Sequence, residues 1–210
     1  MTPKKIYLIR HGETDFNRQQ VIQGSGVDTS LNALGKLQAA AFYDAYRHIP
    51  FDKVYTSTLK RSIESVRGFL EKGIAHEALP ELNEINWGEK EGRRITVDDD
   101  ADYRTLLANW SSGNYDARVN NGESAQEMAI RQQPFLEKLK TDPAGHILVC
   151  MHGRAMRAFL CQLLHLELRC MEGFEHQNLC LYKIVFTGSL FYVKRYCDRR
   201  HLQNLTDPIA

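Results

Sequence analysis

The sequence has little of what marks a membrane protein, a disulfide-stabilised protein or a nucleic-acid-binding protein. No run approaches the roughly 18 consecutive apolar residues of a membrane span. The five cysteines include no Cys-x-x-Cys pair, so we expect reduced thiols and neither a disulfide framework nor a structural zinc site. A net charge of +1 argues against a large electrostatic surface for nucleic acid or for an anionic membrane. Any anion site must therefore be a local cluster of basic residues.

The chain also shows no evident targeting segment or interdomain linker. Two lysines precede an apolar stretch of only four residues, 6–9, which is too short for a signal peptide, and we expect a cytoplasmic protein. At 210 residues the chain is long enough for one sizeable core. No repeat or low-complexity tract divides it. The sequence predicts one domain over residues 1–210, and it gives no indication of oligomeric state.

Short apolar runs alternate with helical patterns along most of the chain. The runs that predict strands are 6–9, 53–55 and 146–151, with a strand pair at 181–186 and 190–196. The patterns that predict helices are 34–49 with Asn32 as N-cap, 57–70 with Ser57 as a candidate N-cap, and 154–166. Strands that alternate with helices predict an α/β fold, with a mainly parallel central sheet and helices on both faces.

Two further segments carry specific local signals. Ser124 and Glu127 form a capping-box pattern that predicts the start of another helix, and Pro134 predicts a kink or a break within it. The segment of about 81–121 does not follow the strand–helix alternation. We interpret it as an insertion over the active-site edge of the sheet.

Chemically capable residues follow three of the predicted strands. The first strand runs into Arg10-His11-Gly12, the second into Thr56-Ser57 with Arg61 one turn further on, and the third into His152-Gly153. Because the carboxyl ends of parallel strands share one edge of a sheet, two histidines and two arginines are expected to lie together. Helix N-termini at this edge would offer free N–H groups to an anion.

Each of these residues has a simpler explanation when taken alone. A histidine at the end of a strand is usually a turn residue, and Arg61 or Glu84 alone would be a surface residue. Two histidines and a carboxylate also match a facial metal triad. However, Arg10 beside His11 and Arg61 at the same edge would oppose a divalent cation and favour a phosphate, which guanidinium groups bind well. We therefore expect a phosphate site without a metal.

The order of these motifs resembles the histidine phosphatase superfamily, the phosphoglycerate mutase-like group. The segments that carry the resemblance are 10–14, Asn17, Gln23-Gly24, 54–61, 82–84 with Trp87-Gly88, 122–124, 149–153 and, more weakly, Asn178. They span nearly the whole chain. The sequence departs from the family pattern at Ser65, at Asn120-Asn121, at Met151 and at Arg154, and none of these departures removes a catalytic group.

The resemblance implies a reaction through a phosphohistidine. His11 would attack phosphorus, which splits one displacement into two steps. Arg10, Arg61 and His152, assisted by Asn17, would hold the phosphoryl oxygens. Glu84 would protonate the leaving oxygen and then accept a proton from water.

The resemblance further implies that Gln23, Gly24 and Gly153 line the phosphate site. It implies that no metal or organic cofactor is needed, and that the partner is a small phosphorylated metabolite.

Three functions remain open at the level of the sequence. The first is a phosphomonoesterase, and the second is a mutase that returns the phosphoryl group to its product. Mutases of this group tend to carry a longer insertion with a basic, proline-rich stretch, whereas residues 85–121 contain no proline and only five dispersed basic residues. Hydrolysis is therefore favoured. The third is a non-catalytic phospho-ligand-binding module, which would need neither a nucleophile nor an acid. The substrate stays open, as does a role for Arg93, Arg94 and Arg154 in binding a second phosphate.

Overall fold

The predicted α/β architecture is confirmed in the computed structural model, which describes residues 3–205. The strands are β1 (Lys4–Arg10), β2 (Lys53–Thr56), β3 (Ala75–Ala78), β4 (His146–Met151), β5 (Leu181–Phe186) and β6 (Phe191–Asp198). They form one six-stranded sheet in the order β3-β2-β4-β1-β5-β6. Strands β1 to β4 pair in parallel, whereas β5 is antiparallel to β1 and β6 is antiparallel to β5. The single domain over 1–210 stays a prediction, and its residues 1–2 and 206–210 lie outside the described part.

Helices flank both faces of this sheet. They are α1 (Asp15–Arg18), α2 (Ala33–Tyr46), α3 (Lys60–Ser65), α4 (Arg67–Glu71), α5 (Val97–Ser111), α6 (Ala125–Thr141) and α7 (Gly153–Leu163). The predicted N-cap of α2 is confirmed, because the Asn32 side chain accepts a hydrogen bond from Gly35 N–H. The capping box of α6 is confirmed in the same way at Ser124. Within residues 3–205, no helix is long and apolar enough to cross a membrane.

Alternation along β1 explains why the sheet carries a core on each face. Ile6 and Leu8 belong to one buried cluster, which includes Phe159 of α7, whereas Tyr7 and Ile9 belong to another, which includes Phe42 of α2. Successive side chains of a strand point to opposite faces, so a strand that is apolar throughout must be covered on both. Helical layers therefore cover both faces of the sheet, and a ligand can reach it at the ends of the strands.

The helix predicted over 57–70 is wrong in both its start and its continuity. The N-cap of α3 is Leu59, which makes no side-chain capping bond, and the helical course is interrupted at Val66. Ser57 instead accepts a hydrogen bond from Leu59 N–H at 3.2 Å and contacts His152. A side chain that was expected to cap a helix therefore belongs to the site described below.

Two other helix predictions differ from the structure at their ends or centre. Helix α7 ends at Leu163 rather than at Leu166, because His165 takes a left-handed conformation with φ of 54°. Helix α6 continues through Pro134 without a break. Pro134 is an exposed residue of this helix.

The insertion of about 81–121 contains regular structure that the sequence pattern did not reveal. Most of its second half is α5, whose capping box is formed by Thr96 and Asp99. Only Leu106 and Trp110 of α5 are buried, so the helix has a narrow apolar contact with the rest of the protein. Trp87 and Tyr103 from this segment line the same cavity as His11. The insertion thus covers the edge of the sheet at which β1 and β4 end.

Candidate active site

The carboxyl ends of β1, β2 and β4 meet at one site, as predicted. His11 follows β1, Ser57 follows β2 and His152 follows β4, and the rings of the two histidines lie 5.0 Å apart between centroids. A cavity of about 350 Å³ opens there. Of the residues predicted for the site, those that line this cavity are Arg10, His11, Asn17, Gln23, Glu84 and Gly153. Arg61, His152 and Gly24 lie directly behind this lining.

One ring nitrogen of His11 is held by a hydrogen bond to the backbone, and the other points away from this bond. Its side chain is 97% buried, and Nδ1 lies 2.7 Å from the carbonyl oxygen of Gly12. Since a carbonyl can only accept, Nδ1 must carry the proton, which assigns the lone pair of the neutral ring to Nε2. Burial, followed by the charges of Arg61 and Arg10, holds the pKa of His11 well below its usual value. His11 is therefore a neutral imidazole with a free nucleophilic nitrogen near neutral pH.

Close packing against helix α2 fixes the loop that carries His11. A Cβ on Gly35 would lie 2.0 Å from the carbonyl oxygen of Glu13, and a Cβ on Gly12 would lie 2.7 Å from the carbonyl oxygen of Gly35. Only glycine permits this approach of two backbones. Gly12 N–H also donates to Ser65 Oγ at 2.8 Å. Ser65 thus keeps a useful hydroxyl although it departs from the family pattern.

Arg61 is fully buried behind the cavity and connects three parts of the site. Its Nε donates to Nδ1 of His152 at 3.2 Å, and its terminal nitrogens donate to the carbonyl oxygens of Val27 and Gly24 at 2.5 and 3.1 Å. Burial lowers the pKa of Arg61 to about 10, so the guanidinium stays charged at neutral pH. Gly24 therefore takes part through its carbonyl group, which holds Arg61.

His152 has both ring nitrogens engaged. Nδ1 accepts from Arg61, so the proton of the neutral ring lies on Nε2, which is 2.7 Å from Ser57 Oγ. Burial, followed by the charges of Arg61 and of His11, keeps the pKa of His152 well below its usual value. The N–H at Nε2 is directed by the guanidinium on the opposite side of the ring. His152 is thus a neutral hydrogen-bond donor at the end of β4.

Arg10 contributes a second, half-buried guanidinium that lines the cavity with His11. Its Nη1 donates to the carbonyl oxygen of His176 at 2.6 Å, while its Nε is buried and has no hydrogen-bond partner among residues 3–205. A buried donor without a partner costs free energy, so this N–H is a ready contact for an anion in the cavity. Arg10 and Arg61 together make the inner end of the cavity positive.

The amides of Asn17 and Gln23 complete the lining beside His11. Oδ1 of Asn17 accepts from Thr14 Oγ1 and from Nδ2 of Asn178, at 3.2 and 3.3 Å. Nε2 of Gln23 donates to Thr14 Oγ1 at 2.7 Å, and its Oε1 accepts from Thr29. Because the oxygen of the Asn17 amide is held by these donors, its Nδ2 is turned away from them.

Glu84 lies at the N-terminus of α7, where its charge acts on the guanidinium groups of Arg10 and Arg61. Its carboxylate accepts from the backbone N–H groups of Arg154, Ala155 and Ile85, at 3.0, 2.8 and 3.0 Å. The start of a helix favours a negative charge at this place. The N–H groups at the start of this helix were predicted to be free for an anionic ligand, and for Arg154 and Ala155 that prediction is wrong, because the Glu84 carboxylate occupies them. Glu84 is 7% exposed and lines the cavity.

One arginine of α6 fixes the segment that carries Glu84. The Arg131 guanidinium pairs with Glu123 through two hydrogen bonds of 2.7 and 2.9 Å. It also donates to four backbone carbonyls of the same segment, those of Pro80, Glu81, Asn83 and Glu84. A planar guanidinium with several donors suits such a cluster of acceptors. Glu84 is therefore held at its backbone carbonyl by Arg131 and at its carboxylate by the N-terminus of α7.

Some predicted or considered residues are placed elsewhere. Arg93 and Arg94 are exposed and do not line the cavity. Arg154 lines it, but its guanidinium is bound to Glu172 and to the hydroxyl group of Tyr103. Within residues 3–205, no group of three or more His, Cys, Asp or Glu side chains is arranged to hold a metal ion.

The sequence analysis missed His176, which lies in the cavity beside Arg10. It precedes β5, and β5 is antiparallel to β1 with Leu181 opposite Ile9. The start of an antiparallel strand therefore reaches the same edge as the ends of the parallel strands. A prediction that β5 runs antiparallel to β1 would have placed His176 at the site. Burial, with Arg10 and Arg157, lowers the pKa of His176 to about 3.

These buried histidines predict a loss of stability in mild acid. The pKa values of His11, His152 and His176 are lowered by folding, so below pH 6.5 the unfolded chain binds protons that the folded chain does not. Stability is then full above pH 6.5 and falls as the pH decreases, by about 1.4 kcal/mol per pH unit for each such histidine. Urea unfolding between pH 7 and pH 5 measures this slope. His176→Gln should flatten it, and a stability that does not change over this range would contradict the burial of neutral histidines.

The chain is similar to known proteins over most of its length. The family model described as the histidine phosphatase superfamily (branch 1) matches residues 6–199. The adenosylcobalamin/alpha-ribazole phosphatase of Salmonella typhimurium is 29% identical over 181 residues, which cover 84% of this chain and 87% of that protein. The protein named "Probable phosphoglycerate mutase GpmB" of Enterobacter sp. (strain 638) is also 29% identical, over 88% of this chain and 86% of its own length.

A solved structure shares the whole architecture. The alpha-ribazole phosphatase from Shigella flexneri superimposes with a TM-score of 0.82 at 26% identity. The match covers 92% of this chain and 96% of that structure. The elements that position the site therefore occur in the same arrangement in both proteins.

Proposed function

The chain belongs to branch 1 of the histidine phosphatase superfamily, and from this membership and the geometry of the site we propose that it hydrolyses phosphomonoesters through a phosphohistidine on His11. The observation that carries the proposal is the state of His11. Its Nδ1 is held by Gly12, its ring is neutral, and the positive charges of Arg61 and Arg10 act on it. Such a group is a nucleophile placed beside a site for the phosphate that it attacks.

In the first step Nε2 of His11 attacks phosphorus and the bond from phosphorus to the ester oxygen breaks. Charge then spreads over the three equatorial oxygens, where Arg10 and Arg61 would stabilise it. His152 would add a neutral donor by turning its Nε2–H from Ser57 Oγ to a phosphoryl oxygen. Nδ2 of Asn17 adds a neutral donor. Gln23 and Gly153 line the same space, and Gly153 leaves it open because a Cβ there would lie 3.6 Å from Arg10 Nε.

Glu84 is the proposed source of the proton for the leaving oxygen. In the second step it would accept a proton from the water that attacks phosphohistidine, which releases inorganic phosphate and restores His11. Both oxygens of its carboxylate are held by backbone N–H groups, so the residue is fixed at the mouth of the phosphate site. Protonation would use the remaining lone pairs.

The positive charges at the site support a reaction without a metal. Arg10 and Arg61 would oppose a divalent cation at the position that a phosphate occupies. Activity should therefore survive exhaustive treatment with EDTA, and loss of activity that zinc, iron or manganese restores would contradict this part of the proposal. The five free cysteines fit a reducing compartment, and we propose a cytoplasmic enzyme on that basis.

A mutase is the second candidate, because relatives with mutase names match this chain. The two activities differ in the second step. A phosphatase releases one inorganic phosphate for each ester consumed, whereas a mutase interconverts isomers, releases little phosphate and depends on a bisphosphate primer. We expect equimolar phosphate without a primer. Primer-dependent isomerisation of phosphoglycerate would replace the hydrolase proposal.

Removal of Arg61 should weaken binding of phosphate analogues. We expect Arg61→Ala to weaken vanadate inhibition by about 1.5–3 kcal/mol, which is the range for a charge-assisted hydrogen bond. The same change removes donors from the carbonyl groups of Gly24 and Val27, so the melting temperature should fall as well. The inhibition constant is therefore measured where the variant is folded, with Arg67→Ala, at an exposed position of α4, as the control. Unchanged vanadate inhibition would place Arg61 outside the phosphate site.

A further inference from the structure

The cavity extends well beyond the groups that would hold a phosphoryl group. Its volume of about 350 Å³ lies within the range of small-molecule sites. The basic groups Arg10 and Arg61 lie at its inner end, next to His11. The rest of the lining comes largely from the insertion, so the insertion is what contacts the leaving group of an ester bound at His11.

One wall of this outer part is apolar. Ile22, Ile95 and Val119 line it together with Trp87 and Tyr103, whose rings lie 5.8 Å apart between centroids. Ile95 is 50% exposed although its side chain is large and apolar. Exposed apolar surface within a concave site is typical of contact with an apolar part of a ligand.

The part of the lining that α5 contributes with its first turns, called the rim here, is acidic. Asp99, Asp100 and Asp102 of α5 line the cavity, together with the basic side chain of Lys90. Lys90 is already shared, at 2.5 Å from Asp99 and 2.8 Å from Asp102. Asp100 is paired with Arg104 at 2.9 Å, so three carboxylates face two cations there and the rim keeps a net negative charge. A second anionic group on the substrate would therefore meet net negative charge at the rim.

Arg154 does not reverse this charge. Its side chain is 3% exposed and its guanidinium is paired with Glu172, which also pairs with Arg157 at 2.7 Å. Its remaining face lies against the ring of Trp110, at 5.4 Å from the centroid. The hydrogen bonds of the buried Arg154 guanidinium are thus directed to Glu172 and Tyr103 before any substrate binds. Arg154 supports the wall of the cavity and does not offer a free cation to a second phosphate.

We propose that the leaving group of the substrate has an apolar, preferably aromatic, body and carries no negative charge of its own, so that the phosphate is the only strong anion of the ester. The inference rests on the proposed function and adds the substrate class to it. An uncharged or positively charged end of the leaving group would lie at the rim formed by Asp100 and Asp102. Esters with a carboxylate or a second phosphate would be poor substrates.

Three aryl phosphates of similar size test the proposal: 4-(2-aminoethyl)phenyl, 4-propylphenyl and 4-(carboxymethyl)phenyl phosphate. Methylene groups separate the charge from the ring, so the three phenols are similar leaving groups. We expect kcat/KM to be highest for the cationic or the neutral ester and about tenfold lower for the anionic ester, since each exposed charge contributes a fraction of this effect. The ratio should shrink in 1 M salt, because exposed charges are screened.

Variants of α5 and of the apolar wall separate the two parts of the proposal. Replacing both Asp100 and Asp102 with Asn should reduce the preference against the anionic ester to about twofold or less. Asp98→Asn, which removes one charge from an exposed residue outside the cavity, is the control for each single variant, Asp100→Asn and Asp102→Asn, and should leave the preference unchanged. Ile95→Thr should raise KM for the neutral ester, whereas Val97→Thr, outside the cavity and 82% exposed, should not.

The outcomes distinguish this inference from the function on which it rests. Hydrolysis of all three esters with equal kcat/KM, or with preference for the anionic one, would overturn the inference and leave the phosphatase intact. Hydrolysis of none of them, with no phosphate released, would overturn the proposed function and the inference together. A preference that responds equally to Asp98→Asn and to the rim variants would show a general effect of net charge and would also overturn the inference.

Discussion

Replacement of His11 by Ala should reduce turnover of every phosphomonoester to below the limit of detection. The reason is that the variant lacks a nitrogen that lines the cavity with a free lone pair and with a position set by the backbone. His152 cannot substitute, because its Nδ1 accepts from Arg61 and its Nε2 carries the proton. Steady-state assays with nitrophenyl phosphate and with an alkyl ester measure the loss.

Two controls make this result specific. His48 is exposed and does not line the cavity, so His48→Ala should keep full activity. The His11→Ala variant should still be folded, with an unfolding transition near that of the wild type. Normal turnover by the folded variant would contradict the assignment of His11, whatever other residues contribute.

Glu84→Gln should have the next largest effect, and its size should depend on the leaving group. A nitrophenolate departs without a proton, whereas an alkoxide needs one, and general acid–base catalysis is typically worth ~10²–10⁴-fold. We therefore expect a loss of this size with alkyl esters and a much smaller one with nitrophenyl phosphate. A plot of kcat/KM against the pKa of the leaving alcohol should become steeper in the variant.

The structure also indicates what else this substitution changes. Glutamine has one oxygen where glutamate has two, so one of the N–H groups of Arg154 and Ala155 would lose its acceptor. Some loss of stability is expected, of about 1–3 kcal/mol for an unsatisfied buried donor. Glu89→Gln, on an exposed residue of the same insertion, is the control and should change neither property. Equal losses on both types of ester would assign the acid role to another group.

The parts of the fold that could be predicted from the sequence are those with continuous apolar runs. Strands β1 and β4 are buried on both faces, and their ends could be located because a histidine and a glycine follow each run. The positions of His11 and His152 at one edge followed from the rule for parallel strands. These residues are close together because the register pairs Arg10 with Met151.

Other elements gave no such signal. Strand β3 has four residues, three of them exposed, at the edge of the sheet, so it has no apolar pattern of its own. Helix α5 buries only two side chains and is otherwise acidic or polar. Its N-terminal aspartates were visible in the sequence, but their position at the mouth of the cavity depends on how the insertion packs over the sheet.

Several features of the site depend on long-range contacts that no local pattern contains. The carboxylate of Glu84 binds the N-terminus of α7, 70 residues further along the chain. Arg131 holds the Glu84 segment from α6, and His176 reaches Arg10 from the segment before β5. The sequence could name the groups that would do the chemistry, whereas their tautomers, partners and charges required the folded arrangement.

The measurement that tests the central claim most directly is the identity of the phosphorylated residue during turnover. Enzyme mixed with a ³²P-labelled ester and quenched with base within milliseconds should carry label that is stable in base and labile in acid, as phosphohistidine is, and peptide mapping should place it on His11. The label should disappear as the ester is exhausted, and inorganic phosphate should appear in equal amount. Label on another residue, acid-stable label, or turnover without any labelled enzyme in a rapid quench would contradict the account.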